Sequence, residues 1–90
     1  MTQYSGLITI TTAGTAVRGT DIKGSKFAFI APAANTGVVY AGNDGAGDVT
    51  AAADMPVLAT QYLFVEVNNL NELWFDAASN GDEIRWVRVR

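Results

Sequence analysis

Glu72-Leu-Trp-Phe-Asp-Ala-Ala-Ser-Asn-Gly-Asp-Glu-Ile-Arg-Trp-Val-Arg-Val-Arg90 is the stretch that decides the fold class. It reads as two β-strands joined at Asn80-Gly81, because a tight hairpin turn wants positive φ and Asn and Gly tolerate it best. The flanking runs, Leu73-Trp-Phe75 and Ile84-Arg-Trp-Val-Arg-Val89, are aromatic and β-branched, which suits a pleated, half-buried surface. In the second run Ile84 and Trp86 share a face with Arg88 and Arg90. Arg85, Val87 and Val89 take the other. Neither face is cleanly polar. The strand is therefore either a core strand whose arginines fray into water or a contact surface for another subunit.

Working outward, the rest of the chain carries the same β signature. Tyr4–Thr12 is dense in Thr and Ile and reads as a strand. Gly14 breaks it, and Thr15–Arg18 resumes it as a small hairpin around Ala13-Gly14. Lys26–Ala31 puts Phe27, Phe29 and Ala31 on one face and Ala28 and Ile30 on the other, the mark of a central strand. Pro32–Asn35 is a turn and Gly37–Ala41 the next strand. Gly42–Asp48 is the longest run of chain breakers, hence a loop. The alanine-rich run from Val49 to Asp54 is a helical turn or loose edge, stopped by Met55-Pro56. Val57–Thr60 is a weak edge or loop. Tyr62–Val67 is a strong strand with Leu63, Val65 and Val67 one way and Tyr62, Phe64 and Glu66 the other. Asn68–Asn71 turns the chain into the last stretch. No run of ten residues has a helical period. The expected fold is all-β: a small antiparallel β-sandwich or barrel of about seven short strands. It forms a single domain over 1–90, with residues 1–6 as an N-terminal arm that orders on assembly.

Composition narrows the chemistry. The chain has 90 residues, no Cys and no His. Disulfides, thiolate sites and triads built on histidine are excluded within it, as are ordinary zinc sites. An apolar content of 49% in so small a chain favours burial by oligomerisation. The net charge of −3 argues against nonspecific nucleic-acid binding. Its distribution is uneven: residues 1–26 carry +2, 27–84 carry −8, and 85–90 carry +3. Self-complementary packing between subunits and local balancing within one fold both suit that pattern. The N-terminus lacks a basic region followed by an apolar one, so no secretory signal is expected. No window approaches the length of a membrane-spanning helix.

Five constellations have a chemical flavour. Asn43–Asp48 resembles a calcium loop but lacks the EF-hand spacing and a closing glutamate. Gly42–Gly47 has the glycines of a phosphate loop but no following Lys-Ser/Thr. Asp76, Asp82 and Glu83 cluster around Asn80-Gly81, where carboxylates are ordinarily solvated. Trp74, Trp86, Tyr40, Tyr62 and Tyr4 could stack on sugars, though core and interface packing is the usual use of such residues. Arg85, Arg88 and Arg90 could hold phosphates, or deter edge-to-edge aggregation. No catalytic residue, cofactor site or metal site emerges.

The chain also carries Thr15-Ala-Val17, Pro32-Ala-Ala-Asn-Thr-Gly-Val-Val-Tyr-Ala-Gly-Asn43, Asp48-Val-Thr50, Val65-Glu-Val-Asn-Asn-Leu-Asn-Glu-Leu73 and Asp76-Ala-Ala-Ser-Asn-Gly-Asp82. In these it resembles a group of short β-rich virion structural proteins of tailed bacteriophages. Such proteins usually carry a Pro-Gly-Glu turn where this chain reads Asp54-Met-Pro-Val-Leu-Ala-Thr-Gln61. The resemblance implies a non-enzymatic virion part made in the bacterial host cytoplasm. The leading form is a capsid decoration (cement) protein that stabilises the head lattice as a small cyclic homo-oligomer, a homotrimer being favoured. Its partner would be the major capsid protein or another virion protein, with neither nucleic acid nor membrane involved. Trp74, Trp86, Arg85, Arg88 and Arg90 are the expected contact residues. The alternatives are a carbohydrate-binding or host-attachment module, or a small tail or neck component.

Overall fold

A computed structural model describes residues 4–45, 49 and 56–90. These residues are all-β and form eight strands, in keeping with the seven or so expected: β1 (Ser5–Thr9), β2 (Val17–Arg18), β3 (Phe27–Ile30), β4 (Val39–Gly42), β5 (Pro56–Val57), β6 (Leu63–Val65), β7 (Trp74–Ala77) and β8 (Glu83–Arg88). A single 3-10 turn, Leu70–Glu72, precedes β7. The strands form two four-stranded antiparallel sheets, in the orders β1-β8-β3-β6 and β2-β7-β4-β5. The chain therefore alternates between sheets at every connection except β4 to β5. Read side by side, the two orders match each strand of the first sheet with a chain neighbour in the second. This is the strand order of a jelly roll.

That order overturns the hairpin reading at Asn80-Gly81. β7 and β8 belong to different sheets and do not pair. The turn chemistry is real, since Gly81 has φ +83°, but it turns a corner between layers. Ala78 N–H stays bonded to Val38 O, whereas Gly81 N–H already donates to Ile10 O and Ile10 N–H to Asp82 O. The chain changes partner within three residues. The Ala13-Gly14 hairpin is corrected in the same way: Gly14 has φ +86°, and β1 and β2 it joins lie in different sheets.

The core is built from faces that the alternation had grouped without saying which would turn inward. Phe27, Phe29, Ile84, Trp86 and Ile8 from one sheet meet Phe75, Val39, Ala41 and Val57 from the other. Phe29 and Phe75 span the interface with ring centroids 5.4 Å apart, and Trp86 meets Phe27 edge-on at 6.1 Å. Full burial of each large side chain stabilises by about 1.5–3 kcal/mol. β3 is central, as expected, flanked by β8 and β6. Pro56 sits on an edge strand, where its missing N–H costs no ladder bond. β1 begins at Ser5, inside the stretch read as an arm, while residues 1–3 lie outside the described residues. So do residues 46–48 of the loop read over 42–48 and the alanine-rich run after Val49.

Polar groups tie the two ends. At one end three corners converge on buried carboxylates. Asp82 accepts from Thr36 N–H at 2.9 Å, Gly37 N–H at 2.8 Å and the Thr36 hydroxyl at 3.2 Å. Asp76 accepts from Gly14 N–H at 3.0 Å and Ala77 N–H at 2.8 Å. Asn35 and Glu83 exchange two bonds, side-chain amide against backbone, and Asn80 Oδ1 caps Ala13 N–H. At the other end Asn69 and Glu72 form a capping box on the 3-10 turn, and Asn69 Oδ1 also takes Ile22 N–H at 3.1 Å.

Candidate functional site

The two outer faces of the sandwich differ. On the second sheet, Trp74 is half-buried beneath Gly45, where an added Cβ would lie 2.9 Å from the indole. Arg18 lies over the same ring at 5.9 Å, held there by its Nε–H bond to Asn71 O. Tyr40 and Asp76, paired across β4 and β7, are buried, and Val49 lies against them at 1% exposure.

The outer face of the first sheet is open. Strand parity sends Leu7 out from β1, Arg85 and Val87 from β8, Ala28 and Ile30 from β3, and Phe64 from β6, with Tyr62 just before it. The register aligns them in rows: Leu7 beside Arg85 beside Ile30, and Val87 beside Ala28 beside Phe64. Tyr62 and Phe64 are 57% and 56% exposed, their rings 6.3 Å apart. Leu7 and Val87 are exposed as well. Ala28, short between Val87 and Phe64, floors a shallow depression of about 380 Å³ that Leu7, Ile30, Tyr62 and Arg85 help to line. Charge is confined to a few points. Arg85 stands among the apolar side chains. Lys26 Nζ lies 5.1 Å over the Phe64 ring, and Arg90 pairs with Glu66 at 3.7 Å. That last pair is largely exposed, so it contributes little stability.

The five expected contact residues do not gather on one surface. Trp86 is a core side chain, 1% exposed, so its place among surface contacts is corrected: it faces inward between the sheets. Trp74 lies on the opposite sheet, partly covered. Arg88 is half-buried at the strand end, stacked 4.3 Å over Tyr4 and donating to Lys23 O. Arg90 is exposed beside Glu66. Of the five, Arg85 alone stands within the open apolar face. Phe64, Tyr62, Leu7 and Val87, which complete that face, were absent from the expected set. The signal was present in the outward parity of Tyr62 and Phe64 and of Arg85, Val87 and Val89.

The carboxylates near Asn80-Gly81 are not solvated, as expected of turn acids, but structural. Asp82 is 4% exposed and Asp76 6% exposed. Burial pushes the Asp82 carboxyl up, but the two backbone N–H bonds and the Thr36 hydroxyl outweigh it and hold it below its ordinary value. Among the described residues no group of three or more metal-ligating side chains gathers. Among the described residues no helix is long and apolar enough to cross a membrane. Comparison with protein-family models, with curated proteins and with solved structures finds no match.

Proposed function

We propose that this chain is a non-enzymatic structural module that docks on a larger protein lattice through the outer face of its first sheet. The observation that carries the reading is that face: an apolar surface centred on Phe64 and Tyr62, both more than half exposed, with one arginine set among aliphatic side chains. Monomeric proteins seldom leave such a patch without a partner. Arginine and aromatic residues are the usual anchors when it is covered. The resemblance to tailed-bacteriophage virion proteins names the partner class as a major capsid protein or other virion protein. The role would then be capsid decoration by a small cyclic oligomer. Jelly rolls are frequent among viral capsid domains, a fold-level analogy that agrees with this reading without carrying it.

The test is co-sedimentation with capsids of the phage that carries the gene. Wild-type protein pellets with the particles, and Phe64→Asp loses at least about tenfold in affinity while melting normally. Wild-type protein that stays in the supernatant at saturating particle concentration sinks the proposal.

A second reading, a carbohydrate-binding or host-attachment module, draws on the adjacent exposed rings of Tyr62 and Phe64. It has lost the tryptophan platform, because Trp86 is buried and Trp74 is covered on one side. Polysaccharide binding abolished by Tyr62→Ala would favour it over the lattice.

A further inference from the structure

The sandwich has four edge strands, β1 and β6 in one sheet and β2 and β5 in the other. Open edges invite pairing with other chains, and proteins blunt them with short strands, charges or proline. Three of these edges are blunted. β2 and β5 are two residues each; β2 ends in Arg18 and β5 opens with Pro56. β6 is three residues long and runs into Glu66. β1 is different. It is five residues long, and Tyr4–Thr12 holds neither a charge nor a proline.

The hydrogen-bond phase shows what β1 offers. Arg88 N–H donates to Tyr4 O, and Ile10 exchanges bonds with Asp82 and Gly81. Even-numbered residues thus turn their backbone groups toward β8. Alternation turns those of Leu7 and Thr9 toward the open side, where no described strand pairs with them.

We propose that this edge of β1 pairs antiparallel with β1 of a second copy, about a two-fold axis beside Leu7. An antiparallel edge pair is its own mate under a two-fold, so one surface serves both copies. Aligned on Leu7, each Leu7 stands about 5.5 Å from its equivalent, and the apolar outer faces of the two sheets become continuous. Charge does not oppose the contact. The charged side chains that reach β1 come from β8: the Glu83 carboxylate accepts from the Thr9 hydroxyl and Arg88 stacks over Tyr4. A two-fold at Leu7 brings the Thr9 end of one strand beside the Tyr4 end of the other, so unlike charges are the neighbours. The proposal rests on the edge alone and holds whether or not the chain binds a particle. It puts a two-fold where the expected decoration protein was a homotrimer.

Sedimentation equilibrium from about 1 to 100 μM tests it together with amide exchange. Wild-type protein goes from the 9.5 kDa chain to twice that mass. The Leu7 and Thr9 amides become protected as the dimer fills. Leu7→Lys and Thr9→Lys stay monomeric with native circular dichroism, and Phe64→Asp still dimerises. A wild-type chain that is monomeric throughout would leave the edge to a strand of some other protein and overturn the proposal. So would a trimer, lysine variants that still dimerise, or a dimer whose Leu7 and Thr9 amides exchange at the monomer rate. Because Phe64→Asp separates the two surfaces, failure here is distinguishable from failure of lattice docking.

Discussion

Asp82 shows how one side chain can hold a fold without taking part in chemistry. Its two oxygens satisfy two backbone N–H groups and a hydroxyl from the β3–β4 corner, so it bolts that corner to the start of β8. Hydrogen bonds to a charged acceptor are worth about 1.5–3 kcal/mol, and stranded donors add cost. Asp82→Ala is therefore expected to destabilise by about 2–4 kcal/mol, lowering the melting temperature by roughly 10–20 °C. The sign of the pH dependence follows from the lowered carboxyl. Between the folded value and the ordinary aspartate value near about 3.9, the unfolded chain binds more protons, so stability rises with pH in that window. The contribution is complete above it and lost as pH falls through the folded value. The gap between the urea midpoints of wild type and Asp82→Ala should narrow as pH falls below the ordinary aspartate value near about 3.9; a constant gap would show that the carboxylate charge is immaterial. The tryptophans make a second residue-scale contrast. With Trp74→Phe, the remaining Trp86 should emit in the blue and resist acrylamide quenching. With Trp86→Phe, Trp74 should be quenched more readily, and stability should fall because the cavity lies in the core.

The elements explain how much was legible in advance. Parity along each strand was readable because burial alternates with a period of two. Phe27 with Phe29, Leu63 with Val65, and Ile84 with Trp86 share faces as the pattern required, and in the structure those faces turn inward. What parity cannot convey is which sheet a strand joins. Asn80-Gly81 carries the chemistry of a tight turn, and that chemistry is the same whether the next strand folds back alongside or crosses to the other layer. The decision is made by Ile10, Val38 and Thr36, all more than 40 residues away in sequence. The candidate surface was half legible for the same reason. Parity grouped Arg85 with Val87 and Phe64 with Tyr62, but which face is outward and whether a loop covers it depend on tertiary placement, and here Gly45 lies over Trp74 of the other sheet. Trp74 and Trp86 looked alike in sequence and were separated by this alone. The corner makes its own prediction. Cross-strand proton contacts should join β8 to β1 and β3, with Phe29 beside Trp86, and none should join it to β7. Gly81→Ala places a side chain at positive φ and should cost about 1–2 kcal/mol, although nothing lies within 4 Å of the added carbon.

At the scale of the molecule, the strand order makes the last strand indispensable. β8 lies between β1 and β3, so the N-terminal strand has no partner in its sheet until the C-terminal residues arrive. Six of the seven connections cross between layers, and the one that stays, β4 to β5, closes a pair whose second strand has two residues. Little of the sandwich can form from local pairing, and loop closure must come before the contacts that reward it. A chain ending at Asp82 would lose Ile84 and Trp86 from the core and leave β1 and β3 facing a gap. It is expected to lack cooperative unfolding and native near-ultraviolet dichroism. The full chain should refold slowly for its size, in milliseconds to seconds, as non-local β topologies do. Adding the missing octapeptide, Glu83–Arg90, in trans should restore some native signal, because it supplies both edges that β1 and β3 require. A truncated chain that melts cooperatively at the wild-type temperature would show that the sandwich does not depend on the pairing of its two ends.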